Sequence, residues 1–272
     1  MKLFLYSFRE FDEKDIFDEL KEKYGFEYGF SAEYPSLENA ALAKGYDAIS
    51  MTPCTMDAEI LDAFYALGVK YVAARSIGYD HIDIAHAKQL GMGVSHVTYD
   101  PDAVADYAIL LMLMGCRKMG YILERSKLQD YSLIGKLGRD IGDCTVGIIG
   151  AGQIGRTVIR HLSAFESRIL AYDLYPNEAM RSYCQYVSLE ELIRQSDIIS
   201  IHAPASKENY HLLGRQEFEK MKPGVMLVNT ARGTLIDTDV LIENLVSGKV
   251  SFAGLDVLEK EDGLYYHNRM GD

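Results

Sequence analysis

Thr145-Val146-Gly147-Ile148-Ile149-Gly150-Ala151-Gly152-Gln153-Ile154-Gly155 is the stretch on which the reading of this chain turns. A short apolar, β-branched run leads straight into Gly-x-Gly-x-x-Gly, and Gln153 to Ala164 then reads as a helix. Glycine-rich turns recur in many folds, but one placed between a buried strand and a helix has a defined use. Gly150 permits the tight turn, Gly152 lets backbone amides approach a pyrophosphate, and Gly155 allows close helix–strand packing. Gln153 and Ile154 complete a cradle at a helix N-terminus, where backbone N–H groups and the helix dipole favour an anion. Asp173 ends the next strand-like run, Arg168 to Asp173. It lies about 20 residues past the glycines, where a carboxylate accepts the ribose hydroxyls of a dinucleotide. A 2′-phosphate would meet that charge, and Leu174 and Tyr175 bring no arginine to offset it, so the expected cofactor is NAD(H) rather than NADP(H).

Working outward, the pattern alternates between strands and helices in both directions. Upstream stand KLFLYS (2–7), AISM (48–51), YVAARS (71–76) and VSHV (94–97), with amphipathic segments 13–24, 57–67 and 83–90 between them. Downstream stand RILAYD (168–173), DIISIH (197–202), VMLVNT (225–230) and SFAGLDV (251–257). Such alternation implies parallel strands joined by crossover helices. Asp100-Pro101-Asp102 supplies an N-cap and a proline at the first helical position, opening one long helix through about Arg125 that marks a boundary. The expectation is therefore an α/β protein of two doubly wound domains. Residues 1–100 form a flavodoxin-like substrate domain, residues 101–272 a Rossmann-type NAD-binding domain, and the active cleft lies between them.

Composition excludes other classes. The 28 Lys and Arg against 40 Asp and Glu leave a formal net charge of −12, which argues against a nucleic-acid partner because phosphate contacts need clustered cations. Cys54, Cys116, Cys144 and Cys184 lie far apart without a CxxC pair, so neither a metal site nor a disulfide framework is expected, and a reducing cytoplasm fits. The N-terminal apolar stretch is too short for a signal-peptide core, and the longest apolar run, Tyr107 to Cys116, falls short of the roughly 20 residues a membrane span needs.

Two further segments sharpen the reading. Arg232 to Asp237 spells Arg-Gly-Thr-Leu-Ile-Asp just beyond a strand's carboxyl end, and Leu255 to Glu261 spells Leu-Asp-Val-Leu-Glu-Lys-Glu. With Arg75 to Asp83, Tyr99 to Tyr107 and His202-Ala203-Pro204, these segments resemble the D-isomer-specific 2-hydroxyacid dehydrogenases over essentially the whole chain. The resemblance is greatest to the D-lactate dehydrogenase branch, including the vancomycin-resistance type, with phenyllactate-type enzymes close behind.

That resemblance implies NAD-dependent reduction of a small 2-keto acid, pyruvate or an aromatic or branched analogue, to the D-2-hydroxy acid. Arg232 would anchor the substrate carboxylate and polarise the ketone, for which a planar guanidinium fork suits better than a lysine point charge. Glu261 would orient a catalytic histidine and raise its pKa. Asp256 would lie near the nicotinamide carboxamide, and Ala203, Pro204, Asn209, Thr230 and Ala231 would line the cofactor groove together with Arg232. Ile77 and Gly78 would offer amides to the substrate carboxylate, and Tyr99 would close the pocket. Family members carry their proton donor in a Thr-Pro-His segment beyond the glutamate, which these 272 residues do not contain. The expectation is that this histidine lies outside the chain, which would then bind NADH but reduce ketones poorly. Neither His202, which more plausibly packs against the groove, nor His267 has the family setting. A non-catalytic NADH sensor of the same fold is the alternative reading, and an S-adenosylmethionine-dependent methyltransferase a weaker one. The family commonly dimerises through the 101–116 helix, so the resemblance implies a homodimer.

Overall fold

A computed structural model describes residues 1–98, 100–261, 264 and 270. The chain forms two compact units, Met1–Tyr99 and Asp100–Asp272, each built on its own parallel sheet.

In the first unit the strands are β1 (Lys2–Leu5), β2 (Glu27–Phe30), β3 (Ala48–Met51), β4 (Tyr71–Ala74) and β5 (Gly93–His96), in the order β2-β1-β3-β4-β5. This is the flavodoxin-like order, with its switch point between β1 and β3. Helices α1 (Glu10–Tyr24), α2 (Ala58–Ala66) and α3 (Ile84–Leu90) make the crossovers. Asp57 and Asp83 cap the second and third, accepting from Ile60 N and His86 N. Strand β2 was not foreseen. Its Glu-Tyr-Gly-Phe sequence lacks an apolar run, and it exists because it pairs in register with β1 while Tyr28 and Phe30 join an aromatic cluster with Phe8 and Phe17.

The second unit contains β6 (Thr145–Ile149), β7 (Arg168–Tyr172), β8 (Gln185–Tyr186), β9 (Ile198–Ile201), β10 (Val225–Asn229) and β11 (Val250–Leu255). Their order, β11-β10-β9-β6-β7-β8, is that of a dinucleotide-binding Rossmann sheet. Strands β9 and β10 are buried throughout, as parallel strands covered on both faces must be. Alternation assigns Val146, Ile148, Ile198, Met226 and Val228 to one face, and Ile149, Ile199, Ile201 and Leu227 to the other. The first face is covered by α4 (Asp102–Cys116) and α6 (Gln153–Ser163), the second by α7 (Leu189–Gln195), α8 (Arg215–Lys220) and α9 (Thr238–Val246). Gly115 of α4 is needed where it stands, because a Cβ there would fall 2.6 Å from the Phe252 ring and 2.9 Å from the Met226 sulfur.

The long helix expected from Asp102 to about Arg125 is broken. It ends at Cys116, Lys118 takes a left-handed conformation with φ 51°, and α5 (Met119–Lys127) starts afresh. Gly115 and Gly120 flank the break, but the left-handed residue is Lys118 between them. The return of the chain at Gly138 fixes it, since a Cβ there would fall 2.3 Å from the Cys116 carbonyl oxygen, which also accepts from Arg139 N. At the other end of α4, Asp100 Oδ1 accepts from Asp102 N at 3.1 Å across Pro101, as an N-cap does.

Candidate active site

The glycine turn lies at the switch point of the six-stranded sheet, where β6 and β9 run side by side and their following loops part. Gly150 has φ +91°, and a Cβ on it would fall 2.6 Å from Ala203 N, so the turn packs directly on the His202–Ala203 peptide. A Cβ on Gly155 would fall 2.0 Å from the Gly150 carbonyl oxygen, which brings the first turn of α6 against the strand end. Gly152, by contrast, faces open space, and no side chain caps α6. The helix N-terminus is thus a bare cradle for an anion.

Asp173 sits beside this cradle, half-buried, with Oδ2 accepting from Ala151 N at 2.6 Å and Oδ1 from Tyr175 N at 2.8 Å. Each oxygen keeps a second lone pair, so the carboxylate is fixed in orientation yet able to accept ribose hydroxyls. Leu174 and Tyr175 are exposed and present no cation. Arg156, one residue past the motif, was not singled out from sequence. Its Nε donates to Gly152 O at 3.2 Å, which places a guanidinium at the cradle.

Three further strand ends converge on the same edge of the sheet. After β9, Asn209 folds the 204–209 loop, its Nδ2 donating to Pro204 O and its Oδ1 accepting from Ser206 N, both at 2.7 Å. After β10, the buried Asn229 shapes the turn, accepting from Ala231 N at 3.0 Å and donating to Arg232 O at 2.8 Å. Thr230 in that turn has a buried Oγ1 with no hydrogen-bond partner among the described residues. Arg232 is half-buried, and its Nη1 donates to Ala231 O at 2.8 Å. After β11, Asp256 N donates to Asn229 O at 3.0 Å. Asp256 is open to solvent on one side, but the segments around it desolvate its carboxyl enough to raise its pKa above the usual range.

The Arg-Gly-Thr-Leu-Ile-Asp motif divides its labour. Leu235 and Ile236 are core residues, and Asp237 caps α9 by accepting from Val240 N. Gly233 is where the Arg232 turn meets the turn after β11, since a Cβ there would fall 2.0 Å from the Leu258 carbonyl carbon. Glu261 Oε2 accepts from Leu258 N at 2.6 Å, which holds it within that turn. Two residues earlier, Glu259 pairs with a histidine, its Oε1 lying 2.9 Å from His211 Nε2. Burial alone would push the Glu259 carboxyl up, but hydrogen bonds from His211, Tyr210 and Thr238 hold it at about 2. His202 is partly buried, with Nε2 2.9 Å from Ser200 Oγ, and desolvation lowers its pKa to about 4. It is neutral near pH 7 and so carries no imidazolium proton there.

In the first unit, the Ile77 and Gly78 loop follows β4, held by Ser76 Oγ donating to Gly78 O at 2.6 Å. Arg75 braces it, reaching Glu13, Tyr6 O and Ser7 O. Ser7 and Thr52, at the switch point of that sheet, have buried hydroxyls without a partner among the described residues. Tyr99 and His267 lie outside the described residues.

Fold and cradle together define an NAD-dependent oxidoreductase of two α/β units. A family model, "D-isomer specific 2-hydroxyacid dehydrogenase, NAD binding domain", matches residues 109–268. The aromatic 2-oxoacid reductase of Clostridium sporogenes is 39% identical over 100% of this chain and 83% of its own length. The D-specific alpha-keto acid dehydrogenase of Enterococcus faecalis is 42% identical over 85% of this chain and 71% of its own. The apo-structure of D-lactate dehydrogenase from Escherichia coli superposes with a TM-score of 0.84 at 38% identity, covering 96% of this chain and 84% of that one. The chain belongs to the D-2-hydroxyacid dehydrogenase family, enzymes that use NAD to interconvert 2-keto acids and D-2-hydroxy acids. NAD suits the residues present: the uncapped helix end would take the pyrophosphate, Asp173 would take the ribose, and the Thr230 hydroxyl, without a partner among the described residues, would be open to a polar one.

Proposed function

We propose that this chain reduces pyruvate or an aromatic or branched 2-keto acid, with Arg232 as substrate anchor and Glu261 as the carboxylate that serves the proton donor. One observation carries the assignment of Arg232: a half-buried guanidinium at the carboxyl end of β10, on the edge of the sheet that also carries the dinucleotide cradle. When bound, the nicotinamide supplies the hydride. Arg232 grips the carboxylate of the keto acid through paired N–H groups and draws density from the neighbouring carbonyl, lowering the barrier to attack at its carbon. The developing alkoxide needs a proton, and Glu261 would hold an imidazole charged and oriented to deliver it to the oxygen. The Thr-Pro-His segment that supplies this imidazole in the family does not occur in the 272 residues. The amides of Ile77 and Gly78 would take substrate oxygens, Tyr99 would shield the pocket, and Arg156 would offset pyrophosphate charge.

The test is NADH oxidation with pyruvate and with phenylpyruvate in the full-length protein, with chiral analysis of the product. D-enantiomer is expected; L-enantiomer would refute the assignment. Arg232→Lys keeps the charge but loses the fork, so NADH affinity should hold while kcat/KM falls by the equivalent of about 2–4 kcal/mol. Near-normal kcat/KM in that variant would remove Arg232 from the anchor role.

Within the same reading the protein is a cytoplasmic homodimer. Tyr131, Leu133, Ile134 and Leu137, following α5, are each at least 74% exposed, and Tyr107 and Leu110 of α4 are exposed as well. A monomeric protein rarely leaves that much apolar surface in one region. Sedimentation at micromolar concentration should find a dimer; a monomer would contradict this part of the reading.

A further inference from the structure

Three chain segments meet at His211. Its backbone N donates to Thr234 O at 2.9 Å, and the pairing continues with Leu213 N on Leu235 O and Asp237 N on Leu213 O. Its ring lies between two carboxylates, Nε2 2.9 Å from Glu259 and Nδ1 3.5 Å from Asp237. Tyr210 stacks on the ring at 3.9 Å between centroids, and its hydroxyl donates to the same Glu259 oxygen at 2.8 Å. His211 has φ 52°, a left-handed conformation that a side chain bearing a Cβ rarely adopts without compensating contacts. Glu259 in turn is 11% exposed, two residues before Glu261 and three after Asp256, in the turn whose Leu258 backbone presses on Gly233.

We propose that His211 is a positioning residue for the reaction: its ring ties the turn carrying Asp256 and Glu261 to the segment that continues from Arg232. The proposal rests on the reading of Arg232 and Glu261 given above and adds how they are held together. Backbone contact at Gly233 brings the two turns close, but a turn outside the sheet, with Lys260 also left-handed at φ 60°, is not fixed by backbone alone. The His211–Glu259 pair supplies the missing fixation from a third strand end, and Tyr210 keeps the ring from turning away. Neither residue needs to touch substrate or cofactor for this.

The experiment compares His211→Ala, His211→Gln, Glu259→Gln and Glu261→Gln in the full-length protein. The readouts are kcat and KM for pyruvate, NADH affinity by fluorescence titration, and Tm. Loss of a partner that orients a functional carboxylate should lower kcat roughly ten- to a hundredfold in His211→Ala while NADH affinity is kept. His211→Gln should recover much of the loss, because its amide can still donate to Glu259. The His211→Ala/Glu259→Gln double variant should be no worse than the poorer single one, since both break one link. A lowered Tm with unchanged kcat and KM would overturn the proposal, as would parallel loss of NADH binding and turnover. If Glu261→Gln keeps full kcat, the reading of Glu261 itself fails. If Glu261→Gln is crippled and His211→Ala is not, only the positioning role falls.

Discussion

Asp173 and Thr230 differ in what each side chain does for the fold: the first satisfies backbone donors, and the second buries a hydroxyl without a partner among the described residues. The Asp173 carboxylate is the acceptor for Ala151 N and Tyr175 N as well as the expected ribose partner. Asp173→Ala should therefore do two things at once. NADH should lose its advantage over NADPH in paired titrations, and stability should fall by about 1–3 kcal/mol because the buried Ala151 N–H is left without its acceptor. Equal affinity for the two cofactors in the unmutated protein would sink the assignment. Thr230 presents the opposite case. Its buried hydroxyl has no partner among the described residues, so Thr230→Val should leave Tm unchanged or raise it, while NADH affinity drops. A variant that both melts lower and binds NADH normally would show that the hydroxyl serves the fold. Asp173 was legible from spacing, since the fingerprint sets the distance from the glycines to the acid. The orphaned state of Thr230 was not, because satisfaction of a hydroxyl depends on neighbours from several strands.

At the scale of elements, the contact between β6 and α6 is the one that admits least change. The Gly155 α-carbon sits so close to the Gly150 carbonyl that a methyl group would fall 2.0 Å from its oxygen, and backbone cannot yield as a flexible side chain can. Gly155→Ala should push α6 off the strand end, costing more than about 2 kcal/mol in urea unfolding and weakening NADH binding. Gly152→Ala meets open space, so its effect should be confined to cofactor affinity; similar unfolding curves for both variants would refute this contrast. Strand and helix periodicity placed nearly every buried element, because β9, β10 and α6 carry continuous or amphipathic apolar patterns. The failures occurred where partners decide. The edge strands β2 and β8 have no run of their own and exist through pairing with β1 and β7. The break at Lys118 is imposed by the chain returning at Gly138, a contact between residues far apart in sequence.

For the whole molecule, pH offers a readout that needs no substrate. His202 is held neutral in the fold with its pKa lowered to about 4, whereas an unfolded chain protonates it below its ordinary value of 6.5. Its contribution is present above pH 6.5 and is lost as pH falls toward 4, a difference of about 3 kcal/mol by linkage. Glu259, lowered to about 2, contributes above the ordinary carboxylate range, and that contribution disappears as pH falls through 2. Urea unfolding between pH 7.5 and 4 should therefore show falling stability, and the slope should flatten in His202→Gln. An unchanged slope would mean that His202 is solvated in the folded state. By itself the sequence determined the two α/β halves, the glycine turn, NAD as the cofactor, and the arginine and acidic segments of the family, because each rests on local period, fixed spacing or a short motif. Only the tertiary structure decided that desolvation keeps His202 neutral, that Arg156 reaches the cradle, that Asp237 is a helix cap, and that Glu259 pairs with His211. Each of these depends on which strand ends the sheet order sets side by side, and local sequence carries no record of that order.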